Sequence, residues 1–151
     1  MKRILFSLAI VLFFSCGDDD SKIVDYTTQN EEEIVAYIAA NNLNATRSST
    51  GLYYVINEQG TGDIPTTSSN VTVAYKGYFT NGSVFDQSDS DGISFGLDRV
   101  IKGWTEGITY FNEGGSGILL VPSHLGYGNT DNRSIPGGSV LIFDVNLISI
   151  N

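Results

Sequence analysis

Hydrophobic and polar positions change period several times along this chain. Residues 4–14 are an apolar run broken only by Ser7, preceded by Lys2 and Arg3 and closed by Ser15-Cys16. The run is too short for a permanent membrane-spanning helix and fits the core of a signal peptide over residues 1–15. Asp18, Asp19 and Asp20, with Ser21 and Lys22, offer nothing to pack, so residues 16–29 read as a flexible acidic tether. Asn30 followed by Glu31, Glu32 and Glu33 then predicts a helix start, with Asn30 as the cap and three carboxylates at the positive end of the dipole. Ile34, Tyr37, Ile38 and Asn41 share one face at three-four spacing. Asn41-Asn42 and the polar stretch 44–50 end it, so residues 30–50 are a short helix and linker. At about three turns such a helix is marginal alone. It is expected to dock on the following domain or on a second copy.

From Leu52 onward the period shortens to two. Tyr53 to Ile56 make a short strand, and residues 58–70, with Gly60, Gly62 and Pro65, a loop. Val71, Val73, Tyr75 and Phe79 alternate with Thr72, Ala74, Lys76 and Tyr78, which predicts a strand with one apolar face. Asn81-Gly82 predicts a tight hairpin turn. Ile93 and Phe95 alternate again. Ile101, Trp104, Ile108 and Phe111 then fit one stripe of a single helix. Residues 118–121 read as a short buried strand, and Leu141, Phe143, Val145 and Leu147 alternate in the last one. Antiparallel strands with one helix over this length predict an α+β domain over residues 51–151, its helix covering one face of a curled sheet.

Charge and composition narrow the chemistry. Seventeen acidic residues face eight basic ones, a formal net charge of -9. Removal of Lys2 and Arg3 with a signal peptide makes the remainder more acidic still, and such a chain repels nucleic acid. The small residue before a single Cys at the end of the apolar run resembles a bacterial lipoprotein signal. Cys16 would then be lipidated and would anchor a soluble domain to the membrane. An acidic run just after that Cys resembles the surface-export signals of some bacterial lipoproteins. The expected location is the cell envelope, anchored to the outer membrane, on the periplasmic face or at the cell surface. With Cys16 so used no thiol remains, and one histidine, His124, cannot build a common zinc site. Ser123-His124 reads as a solvent-exposed turn. None of the seventeen glycines belongs to a phosphate loop, since Lys-Ser or Lys-Thr never follows at the required spacing. Neither a metal nor a cofactor is expected.

The most informative run is Val100-Ile101-Lys102-Gly103-Trp104-Thr105-Glu106-Gly107, which holds the only tryptophan between two glycines. Around it stand Tyr75, Phe85-Asp86, Leu125-Gly126-Tyr127-Gly128, Ile135-Pro136 and Phe143. This set closely resembles the FKBP-type peptidyl-prolyl cis-trans isomerases over residues 52–151. The resemblance implies a curled antiparallel sheet wrapped on one short helix. It also implies catalysis of X-Pro bond rotation in exported proteins, non-covalently, on proline-containing polypeptides, with a rapamycin-type macrolide as a blocking ligand. The barrier to be lowered is about 18–20 kcal/mol and comes from lost amide resonance. No nucleophile or metal is needed, and an apolar pocket with a few donors has the right composition.

Position by position, the resemblance implies Trp104 as the pocket floor and Tyr75, Phe85, Val100, Ile101 and Phe143 as walls, joined by Ile93 or Phe95. The Ile101 N–H and the Tyr127 hydroxyl would donate to substrate carbonyls. Asp86 would sit at the edge, near the rotating carbonyl or holding Tyr75, and Ile135 would close the far side. The chain departs from the family pattern in places. Residues 87–94 hold Asp89 and Asp91 and no base, the loop 128–134 is short, Gly137 replaces a usual second proline, and Gly114, Gly115 and Gly117 stand where Lys or Arg is common. Two readings stay open at this point: an isomerase, or a low-activity binding or chaperone module on the cell envelope with the same pocket.

Overall fold

The computed structural model describes residues 24–151. The expected signal peptide, Cys16 and the three aspartates lie outside the described residues. Seven strands form one antiparallel sheet: β1 (Thr46–Arg47), β2 (Tyr53–Glu58), β3 (Asn70–Tyr78), β4 (Val84–Gln87), β5 (Ile93–Gly96), β6 (Ser116–Val121) and β7 (Leu141–Ile150). Their order is β1-β2-β6-β7-β3-β4, and β5 pairs with β3 beside β4. The β-branched and aromatic alternation of residues 71–79 places β3 between β7 on one side and the β4 and β5 segments on the other. The turn after β3 is a three-residue loop. Gly82 N–H donates to the Phe79 carbonyl at 2.8 Å, the Phe79 N–H to the Ser83 carbonyl at 3.0 Å, and Gly82 takes φ +85. This is a bulged turn with a left-handed glycine, one residue longer than Asn-Gly alone predicts.

Two helices cover opposite faces. Leu119 and Val121 of β6 pack with Trp104, Ile108, Phe111, Phe143 and Val145 in the main core. Leu120 turns the other way and packs with Ile34, Tyr53, Val55 and Val140. A strand buried on both faces must be apolar throughout, which accounts for the unbroken run Ile118-Leu119-Leu120-Val121. The first helix therefore docks on the domain. It adds a layer that a sheet wrapped on one helix does not include.

That helix, α1 (Thr27–Ala40), begins three residues before Asn30. The Asp25 carboxylate accepts the Thr27 N–H at 2.9 Å and the Thr27 hydroxyl at 2.6 Å, which organises the start. Asn30 is not a cap: it lies inside the helix and is fully buried. The glutamates therefore fall beyond the first turn and serve tertiary contacts instead of the dipole. Glu31 accepts from the Tyr53 hydroxyl at 2.6 Å and from Arg47 Nε at 3.0 Å, and Glu33 accepts from Thr80 Oγ1 at 2.6 Å. The Tyr53 hydrogen bond first, then Arg47, hold the Glu31 carboxyl below its ordinary range. Burial of Ile34 contributes about 1.5–3 kcal/mol, which a helix of marginal intrinsic stability needs.

The second helix is shorter than its apolar stripe suggests. α2 spans Lys102–Gly107, and a 3-10 turn follows over Ile108–Tyr110. Trp104, Ile108 and Phe111 are still buried on one side, because the tighter turn keeps them in line. Ser123-His124 is only half as expected. It forms a 3-10 turn in which His124 is exposed, with its ring Nε2 2.9 Å from the Thr50 carbonyl oxygen, but Ser123 is buried.

Candidate active site

The two glycines of the tryptophan run set how close α2 comes to the sheet. A Cβ on Gly103 would lie 2.5 Å from Val121 Cγ1, and one on Gly107 would lie 2.7 Å from Leu119 Cδ2. Neither fits, so the helix rests directly on β6 along its glycine edge. Trp104, between them, is carried down among the rings of the sheet. Its ring meets Tyr75 edge-on at 5.0 Å and 88°, Phe143 at 5.2 Å and 85°, and Phe95 at 5.4 Å and 54°. Phe85 stands edge-on to Phe143 at 5.6 Å and against Phe79 at 5.0 Å. Each such pair adds about 0.5–1.5 kcal/mol beyond area burial, so the walls are held by one another. Gly77 makes this packing possible: a Cβ there would lie 2.7 Å from Phe85 Cζ and 2.9 Å from Phe143 Cε1.

These rings enclose an open cavity of about 390 Å³, completed by Ile93, Val100 and Ile101, with Asp86, Arg99 and Tyr127 at its polar positions. The Tyr75 hydroxyl donates to Asp86 Oδ2 at 2.6 Å. Burial, then that hydrogen bond, push the Tyr75 hydroxyl far above its ordinary pKa, so it remains a donor across the working pH range. Tyr127 is 42% exposed, its ring free at the rim. Ile101 precedes α2, and its carbonyl accepts from Trp104 N–H at 2.9 Å, while its own N–H makes no hydrogen bond among the described residues. A second, more polar cavity of about 510 Å³ adjoins the first. It shares Phe85, Asp86 and Tyr127 and adds Asn132, Arg133, Ser134 and Ile135.

The family model for "FKBP-type peptidyl-prolyl cis-trans isomerase" matches residues 62–148, more than half of the chain. This chain belongs to that family. It is 44% identical over 108 residues to the FKBP-type peptidyl-prolyl cis-trans isomerase FkpA of Buchnera aphidicola subsp. Baizongia pistaciae, which covers 70% of this chain and 43% of the relative. The chain thus spans about two fifths of the length of the curated relatives it matches. Among solved structures, FkpA from Escherichia coli superposes with TM-score 0.74 at 37% identity, over 83% of this chain and 61% of that one. A peptidyl-prolyl cis-trans isomerase from Pseudomonas syringae pv. tomato superposes with TM-score 0.71 at 27% identity, over 83% of this chain and 96% of that one.

In this FKBP-type chain the apolar cavity gathers ten of the residues singled out from sequence: Tyr75, Phe85, Asp86, Ile93, Phe95, Val100, Ile101, Trp104, Tyr127 and Phe143. Ile93 and Phe95, weighed as alternatives for one wall, both line it. Ile135 does not: it is buried in the adjoining polar cavity. Of the two positions expected for Asp86, the structure has it holding Tyr75. Two contributors escaped the sequence reading. Gly77 carries no side chain to suggest a role. Arg99 supplies a cation at the cavity that residues 87–94 lack, and its only sequence signal was its position just before Val100-Ile101.

Proposed function

We propose that this chain is a prolyl isomerase that accelerates rotation about X-Pro bonds in exported polypeptides. The observation that carries the reading is the apolar cavity floored by a buried tryptophan, with unspent donors at its rim, in a chain of this family. Desolvation does most of the work. Resonance gives the planar amide its polarity, and a twisted amide is less polar, so walls of Tyr75, Phe85, Trp104 and Phe143 favour the twisted form over the planar one. The proline ring sits on Trp104. The Ile101 N–H and the Tyr127 hydroxyl donate to the flanking carbonyls and orient the bond. Asp86 fixes the Tyr75 hydroxyl and stands where the apolar and the polar cavity meet. A rapamycin-type macrolide fits the same walls as a competitor.

The test is two-dimensional NMR exchange on an X-Pro peptide with an apolar residue before the proline. Uncatalysed exchange takes about tens to hundreds of seconds. Added protein is expected to shorten it, and the macrolide to abolish the gain. Tyr127→Phe, which removes one neutral hydrogen bond worth about 0.5–1.5 kcal/mol, should cost roughly threefold to tenfold. No acceleration at high protein concentration, with the macrolide still bound, would promote the binding or chaperone module instead.

The reading extends to location. The charged start, the apolar run and Cys16 support a lipid anchor in the outer membrane, with the acidic stretch after Cys16 as its tether. Cys16→Ser should move the protein from the membrane fraction to the soluble one and abolish labelling by a palmitate analogue. A wild-type protein already soluble would sink the anchor. Protease shaving of whole cells separates the cell surface from the periplasmic face.

A further inference from the structure

The loop that carries Tyr127 leaves β6 at Pro122 and re-enters the sheet at Leu141, so neither neighbouring strand holds it. Its two stems are joined by one side chain from the other end of the chain. Asn30 of α1, fully buried, accepts the Ser123 N–H through Oδ1 at 2.7 Å and donates through Nδ2 to the Gly138 carbonyl at 2.8 Å. The stems in turn hold the tyrosine segment. The Gly128 N–H donates to the Ser123 carbonyl at 2.8 Å, and the Gly138 N–H to the Gly128 carbonyl at 2.9 Å. Tyr127-Gly128 therefore hangs from the two residues that Asn30 ties together. The approach to α1 reinforces the contact. Asn129 Nδ2 donates to the Val24 carbonyl at 2.6 Å, and a Cβ on Gly138 would run into the Tyr26 ring at 2.5 Å.

A buried amide costs free energy unless both of its ends are paired. Here both are, and each partner lies on a stem of the Tyr127 loop. The buried part of the α1 contact is otherwise apolar, Ile34 with Tyr53, Val55, Leu120 and Val140, so a leucine here would add docking area but leave the Ser123 N–H and the Gly138 carbonyl unpaired. What the amide adds is a defined separation and orientation of the stems.

We propose that Asn30 is a positioning residue for the site: it sets the loop from Ser123 to Gly138 so that the Tyr127 ring closes the rim of the apolar cavity. The helix next to the expected tether is thereby made part of the site's framework. The activity arm of this proposal rests on the isomerase reading, whereas its loop-order arm does not.

The experiment compares the full chain with Asn30→Ala, the isosteric Asn30→Asp and the control Ile34→Val, which weakens α1 packing without removing a hydrogen bond to the stems. Amide hydrogen exchange at Gly128 and Gly138 is read against Val73 and Val145 in the sheet. Asn30→Ala should speed exchange at both glycines by about tenfold or more, as local opening allows, and leave the sheet amides unchanged. Asn30→Asp keeps the acceptor for Ser123 but sets a carboxylate against the Gly138 carbonyl, so Gly138 should loosen more than Gly128. Ile34→Val should leave both glycines protected. In kcat/KM, Asn30→Ala should cost about threefold to tenfold, matching the loss of the single hydrogen bond that the Tyr127 hydroxyl gives the substrate. Tyr127→Phe on that background should cost less than about twofold more, because coupled residues are not additive. Unchanged exchange at Gly128 and Gly138 in Asn30→Ala overturns the proposal, as does equal loosening by Ile34→Val or full additivity with Tyr127→Phe. If the wild type proves to have no isomerase activity, the exchange result alone decides, so failure of the clamp and failure of the isomerase reading are told apart.

Discussion

Gly77→Ala is expected to remove most of the activity while leaving the fold in place. The added methyl would lie 2.7 Å from Phe85 Cζ and 2.9 Å from Phe143 Cε1, and both atoms belong to rings that wall the apolar cavity. Backbone cannot yield there, because Gly77 is paired to Asp86 on one side and to Phe143 on the other. The rings must move instead, and Phe143 is locked edge-on to Trp104 and Phe85. Overpacking of this kind costs about 1–3 kcal/mol of stability. The effect on rate is larger, since a shift of about 1 Å in a wall can cost roughly a hundredfold. Gly82→Ala is the control. Its φ of +85 makes alanine strained, by about 1–2 kcal/mol, but no atom lies within 4 Å of the added methyl. Matched stability loss with full kcat/KM in Gly82→Ala, against a collapse in Gly77→Ala, is the predicted outcome. A Gly77→Ala variant within threefold of wild type would mean that the two rings do not define the pocket in solution.

Trp104→Ala should be the most damaging single change to stability. The indole is 5% exposed and touches Tyr75, Phe95 and Phe143, so its removal leaves a hole beneath the whole aromatic set. Large aromatic truncations of this type cost about 3–5 kcal/mol, a large fraction of the roughly 5–15 kcal/mol that holds a domain folded. Urea denaturation gives this number, and kcat/KM of the remaining folded protein should fall more than about tenfold as the floor is lost. Trp104→Phe gives the finer test. The indole Nε1 is buried with no hydrogen-bond partner among the described residues. Deleting it therefore breaks no bond within the protein, and Trp104→Phe should cost much less stability than Trp104→Ala. If Trp104→Phe retains stability yet loses as much activity as Trp104→Ala, the indole N–H donates to the substrate, and desolvation is not the main effect of the floor.

How far the sequence reveals the site depends on the physics of each residue type. Trp104, Phe85, Phe143 and Tyr75 are large rings that size alone places in a core or a wall, and it is the resemblance of their motifs to the family that implies a pocket. Gly77 announced nothing, because its contribution is the absence of a side chain, which matters only when Phe85 and Phe143 arrive from β4 and β7. Asn30 was misread as a cap for a related reason. Local chemistry makes asparagine a good cap, and the partners that outweighed this preference, Ser123 and Gly138, lie 93 and 108 residues away. The start of α1 moved with it, since Asp25 and tertiary contacts recruit Thr27 and Thr28, which are poor helix formers alone.

The sequence by itself determined the alternation of β3 and β7, the apolar run of β6, the family and most of the residues that line the pocket. The strands follow from side-chain size, polarity and spacing, which are local quantities, whereas the family and its pocket residues follow from the resemblance carried by the tryptophan run and its flanking motifs. Tertiary structure decided which face of β6 each helix covers, how near α2 lies to the sheet, that Asp86 holds Tyr75, and that Ile135 belongs to the adjoining polar cavity. Each of these is a distance between atoms far apart in the chain. It is set by close packing, in which a single methyl on Gly77 or Gly103 would not fit, and no periodicity along the chain encodes it.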